Sequence, residues 1–514
     1  MADGLSGTGR RWWWTDLFRT AQVALDKKLL LAAAGIVLMW VGWWFWSAAV
    51  ASMRSAPTPP SAEAAQNNPQ LEKTYLRDRE QYMFFHALAG APRTDTAEPW
   101  ERQPGIFRVR PWNEDRGPNP FLLVTGSYRE GGVHGPLYQP GRFWEWVVTE
   151  QAPVLLEPLV KFLKPVILLL NPRADFVTRI YLLVGTLWTL AVWALFGGAI
   201  TRIAVLQLAG KDAGSMRDAL RFAMNRYVHY LSAPLVPLVM VAGITIIIMI
   251  FGLIHLIPIL GDLVDGVLWI VPMLLGLAQA LLLVGLVGYP LMYPTISAEG
   301  SDTFDALSRS YNYVYQSPWA YVWSGIVAIA YGMVVVFFVA FMGSLVVYLT
   351  KWSLGQTPGT EYYSSRRVDH LFVYAPATYE WHDLLVDRPE LKTYATPAER
   401  TTYLNEHTYW WNRASAYLVG LWLKLAVLLI VGFGYSYFFT AGTMIYLLMR
   451  QRVDDTETDE VYTDEDFPDE PLMPPPSAPS ATMSNGPQTQ MVDAPTLRTP
   501  TPASPETTEY KPGG

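Results

Sequence analysis

The run GVLWIVPMLLGLAQALLLVGLVGYPLMYPTISA, residues 266–298, contains no Asp, Glu, Lys or Arg. About 20 consecutive apolar residues suffice to cross the hydrocarbon core of a bilayer, so this run reads as a membrane span with residues to spare. Five further runs read the same way: Leu29 to Met53, Ile180 to Thr201, Tyr227 to Gly261, Ser310 to Thr350, and Ala414 to Met449, the last interrupted only by Lys424. The composition agrees, with 51% hydrophobic and only 16% charged residues, where a soluble domain carries about 25% charged. Trimmed to helices, the spans are expected at 29–51, 179–203, 232–255, 267–294, 320–350 and 415–448.

Lys and Arg in short flanks set the orientation, because positive loops resist translocation. Arg10, Arg11, Arg19, Lys27 and Lys28 precede the first span, and Arg202, Lys211, Arg217, Arg221 and Arg226 lie between the second and third. The connection from His255 to Asp265 has neither residue type. Both termini are therefore expected in the cytoplasm, with Arg450 and Arg452 after the sixth span on the same side. The net charge of −7 is concentrated locally: residues 453–470 hold ten Asp or Glu and no Lys or Arg, and the rest of the chain is slightly basic.

The expected fold class is an all-α polytopic membrane protein with six transmembrane helices, interfacial helices, a small mixed extracytoplasmic domain and a disordered tail. Residues 1–28 form a cytoplasmic amphipathic segment, with Trp12 to Trp14, Leu17, Phe18, Ala21, Ala24 and Leu25 at helical spacing. Residues 29–51 are an uncleaved anchor, and Trp40, Trp43, Trp44 and Trp46 read as an interfacial belt at its outer end. Residues 52–152 make the extracytoplasmic domain, where Ile106 to Val109 and Phe121 to Thr125 read as short strands between Gly, Pro and Asn-rich turns. Residues 153–171 are apolar but carry Glu157, Lys161, Lys164, Pro158 and Pro165, which argues for an interfacial or re-entrant helix over a seventh span. A repeated bundle covers 178–350, a second extracytoplasmic region 351–413, the last span 414–449, and an acidic, Pro-rich tail 450–514.

A weak duplication with an offset of 87 residues organises the bundle. Ser215-Met216-Arg217-Asp218-Ala219-Leu220, before the third span, aligns with Asp302-Thr303-Phe304-Asp305-Ala306-Leu307, before the fifth. Ser215 and Asp302 are each followed three positions later by an acid, Asp218 and Asp305, which is the spacing of a helix N-terminal cap. Glu299-Gly300, Ala306-Leu307 and Arg309-Ser310 between two long spans resemble the membrane domain found beside glycerophosphodiester phosphodiesterases and in related bacterial multi-span proteins, over about residues 178–350. The resemblance implies a fold. The reaction of that family belongs to a separate soluble barrel with paired acids and His, which this sequence does not contain, so no catalytic residue is carried over.

Zero cysteines exclude a disulfide framework, thiolate metal sites and a cysteine nucleophile. His370, His382 and His407 each sit beside an acid in the second extracytoplasmic region and are the weak candidates for a metal site. No i, i+4 pair of histidines occurs, and loop histidines in solvent are the plainer reading. His229 and His255 stand near opposite ends of the third span, too far apart to share one haem. A phosphate-binding Gly-x-x-x-x-Gly-Lys loop is also absent. Lys424, the one charged residue that interrupts the six apolar runs, is the candidate pathway residue of a transporter. Gly197, Gly198, Gly332, Gly343, Gly432 and Gly434 allow close helix contact within the bundle or with another subunit. No cofactor and no nucleic-acid partner is expected. The expected partners are the lipid bilayer and other membrane subunits, in a bacterial inner membrane. The sequence points to a non-enzymatic membrane scaffold or assembly subunit, with a small-molecule or lipid transporter as the alternative.

Overall fold

A computed structural model describes residues 13–51, 110–114, 116–125, 140–146, 151–169, 176–257, 260–358, 368–386 and 408–463, with isolated positions between 60 and 78 and at 148 and 174. Residues 13–462 belong to one compact unit. Its α-helices are α1 (Arg19–Ala24), α2 (Lys28–Ala51), α3 (Pro120–Thr125), α4 (Pro140–Trp146), α5 (Ala152–Leu155), α6 (Glu157–Leu169), α7 (Phe176–Leu208), α8 (Met216–Asn225), α9 (Tyr227–Ser232), α10 (Leu235–Gly252), α11 (Leu260–Leu268), α12 (Ile270–Gly285), α13 (Tyr289–Glu299), α14 (Thr303–Gln316), α15 (Pro318–Gly355), α16 (Trp381–Leu385) and α17 (Trp410–Val453). Six helical stretches are long and apolar enough to cross a membrane: α2, α7, α10, α12 continued through α13, α15 and α17.

The described residues contain no strand. The expected mixed domain is therefore not present in what is described, although Ile106 to Val109 lie outside those residues. Phe121 to Thr125, expected as a strand, is the helix α3. The cause is local: the Asn119 Oδ1 accepts the Phe121 N–H at 2.9 Å and the Leu122 N–H at 3.3 Å, while Pro120 occupies the first helical position. An Asn cap followed by Pro outweighs β propensity in so short a run. In the second region, Val368–Phe372 forms a 3-10 helix.

The first two spans lock by exchange of tryptophans. The Trp43 ring fills the space over Gly185, where a Cβ would come within 2.0 Å of it, and the Trp188 ring does the same at Gly42, at 1.9 Å. Trp43 Nε1 donates to Thr189 Oγ1 at 2.8 Å, and Trp188 Nε1 to the Leu38 carbonyl at 3.2 Å. Trp43 is buried, whereas Trp44 is half exposed. The expected interfacial belt is thus divided, with Trp43 part of the helix packing. Other small residues serve the same end: a Cβ on Gly343 would meet Ile430 at 2.4 Å, one on Gly332 would meet Tyr437 at 2.5 Å, and one on Gly432 would meet the Leu29 carbonyl at 3.0 Å. Gly434 has nothing within 4 Å of such an atom.

The segment preceding the first span also turns into the bundle. Leu17, Thr20, Ala21 and Ala24 are buried, the Ser436 hydroxyl donates to the Ala24 carbonyl at 2.9 Å, and the Tyr331 hydroxyl to that of Phe18 at 3.1 Å. Small side chains on one face let α1 approach α17 closely, so Leu17, Ala21 and Ala24 of the face expected on the membrane surface are covered by protein, while Phe18 and Leu25 stay exposed. Residues 152–169 behave similarly. They form α5, which packs on α15 and α17, and α6, which packs along α7 and reaches Tyr435 of α17.

The fourth span is broken at Leu286–Gly288, where a 3-10 turn joins α12 to α13. Pro290 has no N–H to give back, and such breaks survive in a bilayer only where other donors satisfy the freed carbonyls. Here the Leu286 carbonyl, which the proline leaves without its helical partner, accepts the Tyr289 N–H, and the hydroxyls of Tyr311, Tyr315 and Tyr321 donate to the carbonyls of Leu282, Leu281 and Val287 around the break.

Candidate functional site

Four charged side chains meet inside the bundle. Glu157 and Lys161 lie one helical turn apart on α6, and Glu114 and Arg116 come from the turn before α3. Arg116 clamps the Glu157 carboxylate with two donors, Nε to Oε2 at 2.8 Å and Nη2 to Oε1 at 2.9 Å. Arg116 Nη2 also reaches Glu114 Oε2 at 2.7 Å. Lys161 Nζ donates to Glu157 Oε1 at 2.6 Å and to both Glu114 oxygens at 2.8 and 3.0 Å. Two acids and two bases cancel, which is the condition under which charge can be buried at tolerable cost. Tyr435 of α17 adds a hydroxyl donor to Glu157 Oε1 at 3.1 Å.

The surrounding loops are tied to this cluster. Arg116 Nη1 donates to the Pro111 carbonyl at 2.5 Å, and the Thr378 hydroxyl to the Glu114 carbonyl at 2.9 Å. Asn119 Nδ2 donates to the Tyr379 carbonyl at 2.8 Å and to Ser344 Oγ of α15 at 3.3 Å. Ser344 also accepts the Trp381 indole N–H at 2.9 Å. One polar lattice therefore joins the turn at 110–119, the segment at 368–386, α6, α15 and α17.

The two carboxylates are not equivalent. Burial opposes ionisation of Glu157, but Arg116 and Lys161 overcome it and hold its carboxyl far below the usual range. For Glu114 burial wins over the same two cations, and its carboxyl is raised. Arg116 is itself held firmly charged: burial opposes this, and the two carboxylates outweigh it. Four donors hold Glu157, three on Oε1 and one on Oε2, and the cluster works as a lock between segments.

A second polar junction lies where α13 meets α14. Ser215 and Asp218 close a reciprocal capping box, the Asp218 N–H donating to Ser215 Oγ at 3.2 Å and the Ser215 N–H to Asp218 Oδ2 at 3.0 Å. Asp302 caps α14 in one direction only, accepting the Asp305 N–H at 2.9 Å, while the Asp305 carboxylate turns to Arg309. Replacing Ser215 with Ala is expected to weaken α8 by about 1 kcal/mol, read as faster amide exchange over 216–225 with no change in α14. Glu299 binds Arg309 at 2.9 Å and accepts the Tyr446 hydroxyl at 2.6 Å. Gly300, left-handed at φ 65°, gives its carbonyl to Arg226. Tyr462 lies beside Arg202 and Arg226, its N–H donates to the Ala298 carbonyl at 2.7 Å, and its own carbonyl accepts from Arg202 at 2.9 Å.

The histidines are not brought together into a ligand set. His370 is buried in the 3-10 helix at 368–372, and His382 lies 3.5 Å from its neighbour Asp383, while His407 falls outside the described residues. Among the described residues no group of three His, Asp or Glu could hold a metal. Lys424 rests with its ammonium 5.7 Å from the Tyr417 ring and does not line the large apolar cavity of the bundle. The sequence flagged Glu157 and Lys161 as costly charges in an apolar helix, and their i, i+4 spacing was the available signal of a pair. Glu114, Arg116, Thr378 and Tyr435 carried no such signal. Comparison with protein families, curated proteins and solved structures finds no match for the chain.

Proposed function

We propose that the protein is a non-enzymatic integral membrane scaffold or assembly subunit, whose third and fourth spans form an arm for another membrane subunit. The supporting observation is the contrast in burial. Only 6% of the most apolar window is buried in each of these spans, against 56% in α7 and 44% in α17. Ile247, Met249, Ile250, Leu274 and Leu277 are all more than half exposed. The two helices are nevertheless tied to each other, because Gln279 Nε2 donates to Thr245 Oγ1 at 2.7 Å and to the Val241 carbonyl at 3.2 Å. An interhelical amide in this position ties the two helices to each other. The locked charge cluster supports the same reading, since it ties α6, α15, α17 and the neighbouring loops rigidly together. A transporter draws less support: the large cavity is apolar and Lys424 lies elsewhere. The resemblance of residues 178–350 to a membrane domain whose chemistry sits on a separate barrel fits a non-catalytic part.

Photo-crosslinking residues placed at Ile247 and Leu277 in native membranes are expected to capture one discrete membrane protein, while the same residue at exposed Trp422 does not. Lipid adducts alone from all three positions would overturn the proposal. The proposed orientation, with both termini in the cytoplasm of a bacterial cell, has a clean test because the chain has no cysteine. Asp212→Cys is expected to be shielded from an impermeant thiol reagent in intact cells and Thr357→Cys to be labelled. The opposite pattern reverses the topology.

A further inference from the structure

The bundle holds a cavity of about 560 Å³ between α5 and α6, the break in the fourth span, α15 and α17. That volume lies within the roughly 300–1,000 Å³ of small-ligand sites. The charged face of α6 points away from it, and Leu155, Leu159 and Leu163 face it. Tyr321 and Tyr437 line it too, but their hydroxyls are bonded to the carbonyls of Val287 and Ala328, so they present rings. No charged residue lines the cavity. Water gains nothing from such a space.

The mouth opens sideways. Leu283 and Val287 on the fourth span and Val322 and Ile326 on the fifth line the cavity and are 47% to 60% exposed on the outer surface of the bundle. For a chain with six candidate spans, the medium against that surface is lipid hydrocarbon. The lining part of α15 runs from Tyr321 to Ile329, within about 17 Å of the helix start at 1.5 Å per residue. Half of a 30 Å hydrocarbon core is about 15 Å, so the cavity covers the depth of a single leaflet. The break at Leu286–Gly288 keeps the fourth span from closing over it.

We propose that this cleft is a binding site for one acyl chain of a bilayer phospholipid, drawn from the leaflet on the side where α15 begins, the chain entering between the fourth and fifth spans while the headgroup stays at the membrane interface. Gly325 sits on the wall, and a Cβ there would meet nothing within 4 Å. Gly325→Leu therefore fills the cleft without a clash at its first atom and favours the helix. Gly276→Leu is the control, at a position equally open and outside the cleft.

The test uses the full chain in vesicles containing a phosphatidylglycerol with a diazirine in its acyl chain, with adducts mapped by peptide mass spectrometry. Adducts are expected on 321–329 and 437–445. Gly325→Leu should lower them about tenfold, as when a side chain occupies the width of the ligand, and Gly276→Leu should leave them unchanged. In the wild type, excess unlabelled phospholipid should deplete cleft adducts before those on α10, a readout independent of how any variant folds. Adducts spread evenly over every lipid-facing helix, or equal in Gly325→Leu and wild type, would overturn the proposal. A free diazirine fatty acid labelling the cleft as well as the phospholipid does would overturn the phospholipid as its source.

Discussion

Arg116→Met is expected to destabilise the bundle by about 3–5 kcal/mol, the typical cost of removing one partner from a buried ion pair. Whole domains are stable by about 5–15 kcal/mol, so the variant should lose much of its folded population in detergent. The loss comes from Glu157. Without the two Arg116 donors its buried carboxylate keeps only Lys161 and Tyr435, and the turn at 110–119 loses the bond to the Pro111 carbonyl. The double variant Arg116→Met with Glu157→Met leaves Glu114 and Lys161 as a neutral pair and is expected to recover at least half of the melting temperature lost. A single variant that melts with the wild type would show that the cluster is open to water. Glu114→Gln should cost less than Glu157→Gln, because Glu157 holds both Arg116 donors, Lys161 and Tyr435, while burial works against the charge on Glu114. The pH dependence follows from the two directions. Glu157, depressed in the fold, contributes stability above its unfolded value of about 4.3 and loses it only as pH falls through its much lower folded value. Glu114, raised in the fold, contributes below the unfolded value and loses it as pH rises through the folded one. The two oppose each other, so mild acid should leave the lock closed, and a melting temperature that falls steeply between neutral pH and about pH 5 would contradict this.

The second large effect is expected at Gly185. A Leu there must displace Trp43, whose ring atoms lie 2.0 to 2.4 Å from where the new Cβ would stand. Overpacking typically costs about 1–3 kcal/mol, and this site should fall at the upper end or beyond. Moving Trp43 also breaks its bond to Thr189 and its edge contact with Tyr181, whose ring centre is 5.4 Å away. Adding Trp43→Ala to Gly185→Leu should restore part of the stability, measured by thermal melting of the purified protein. Gly434→Ala, at an uncrowded position, should be neutral or slightly stabilising. Equal melting of Gly185→Leu and Gly434→Ala would remove the reciprocal tryptophan packing as a source of stability.

The six spans were legible because a bilayer demands long charge-free runs, and such runs survive in the sequence without knowledge of any contact. What those runs pack against was not legible. A lipid-facing Leu and a core-facing Leu are alike in composition, since lipid tails are as apolar as a protein interior. Hence α10 and α12 read like α7, although their burial differs widely. Trp43 reads like Trp44, although one fills a gap over a glycine and the other is half exposed. At Phe121 the β-like side chains drew attention from Asn119-Pro120, the helix-start signal just before them. Of the charge cluster, the half on α6 was visible by its spacing. The other half comes from a turn 41 residues earlier, where Arg116 meets Glu157, and pairings at such a distance leave no periodic trace.

The arm formed by the third and fourth spans has a consequence for topology that rests on parity. Being two candidate spans, it contributes an even number of passages. The direction in which α15 and α17 traverse the membrane is the same with the arm or without it. The charge lock and the tryptophan exchange involve no residue between Leu235 and Gly285, whereas α13, the rest of the fourth span, packs against α7 and α17. The arm can therefore change in sequence or length to suit a partner without reversing any other part of the chain.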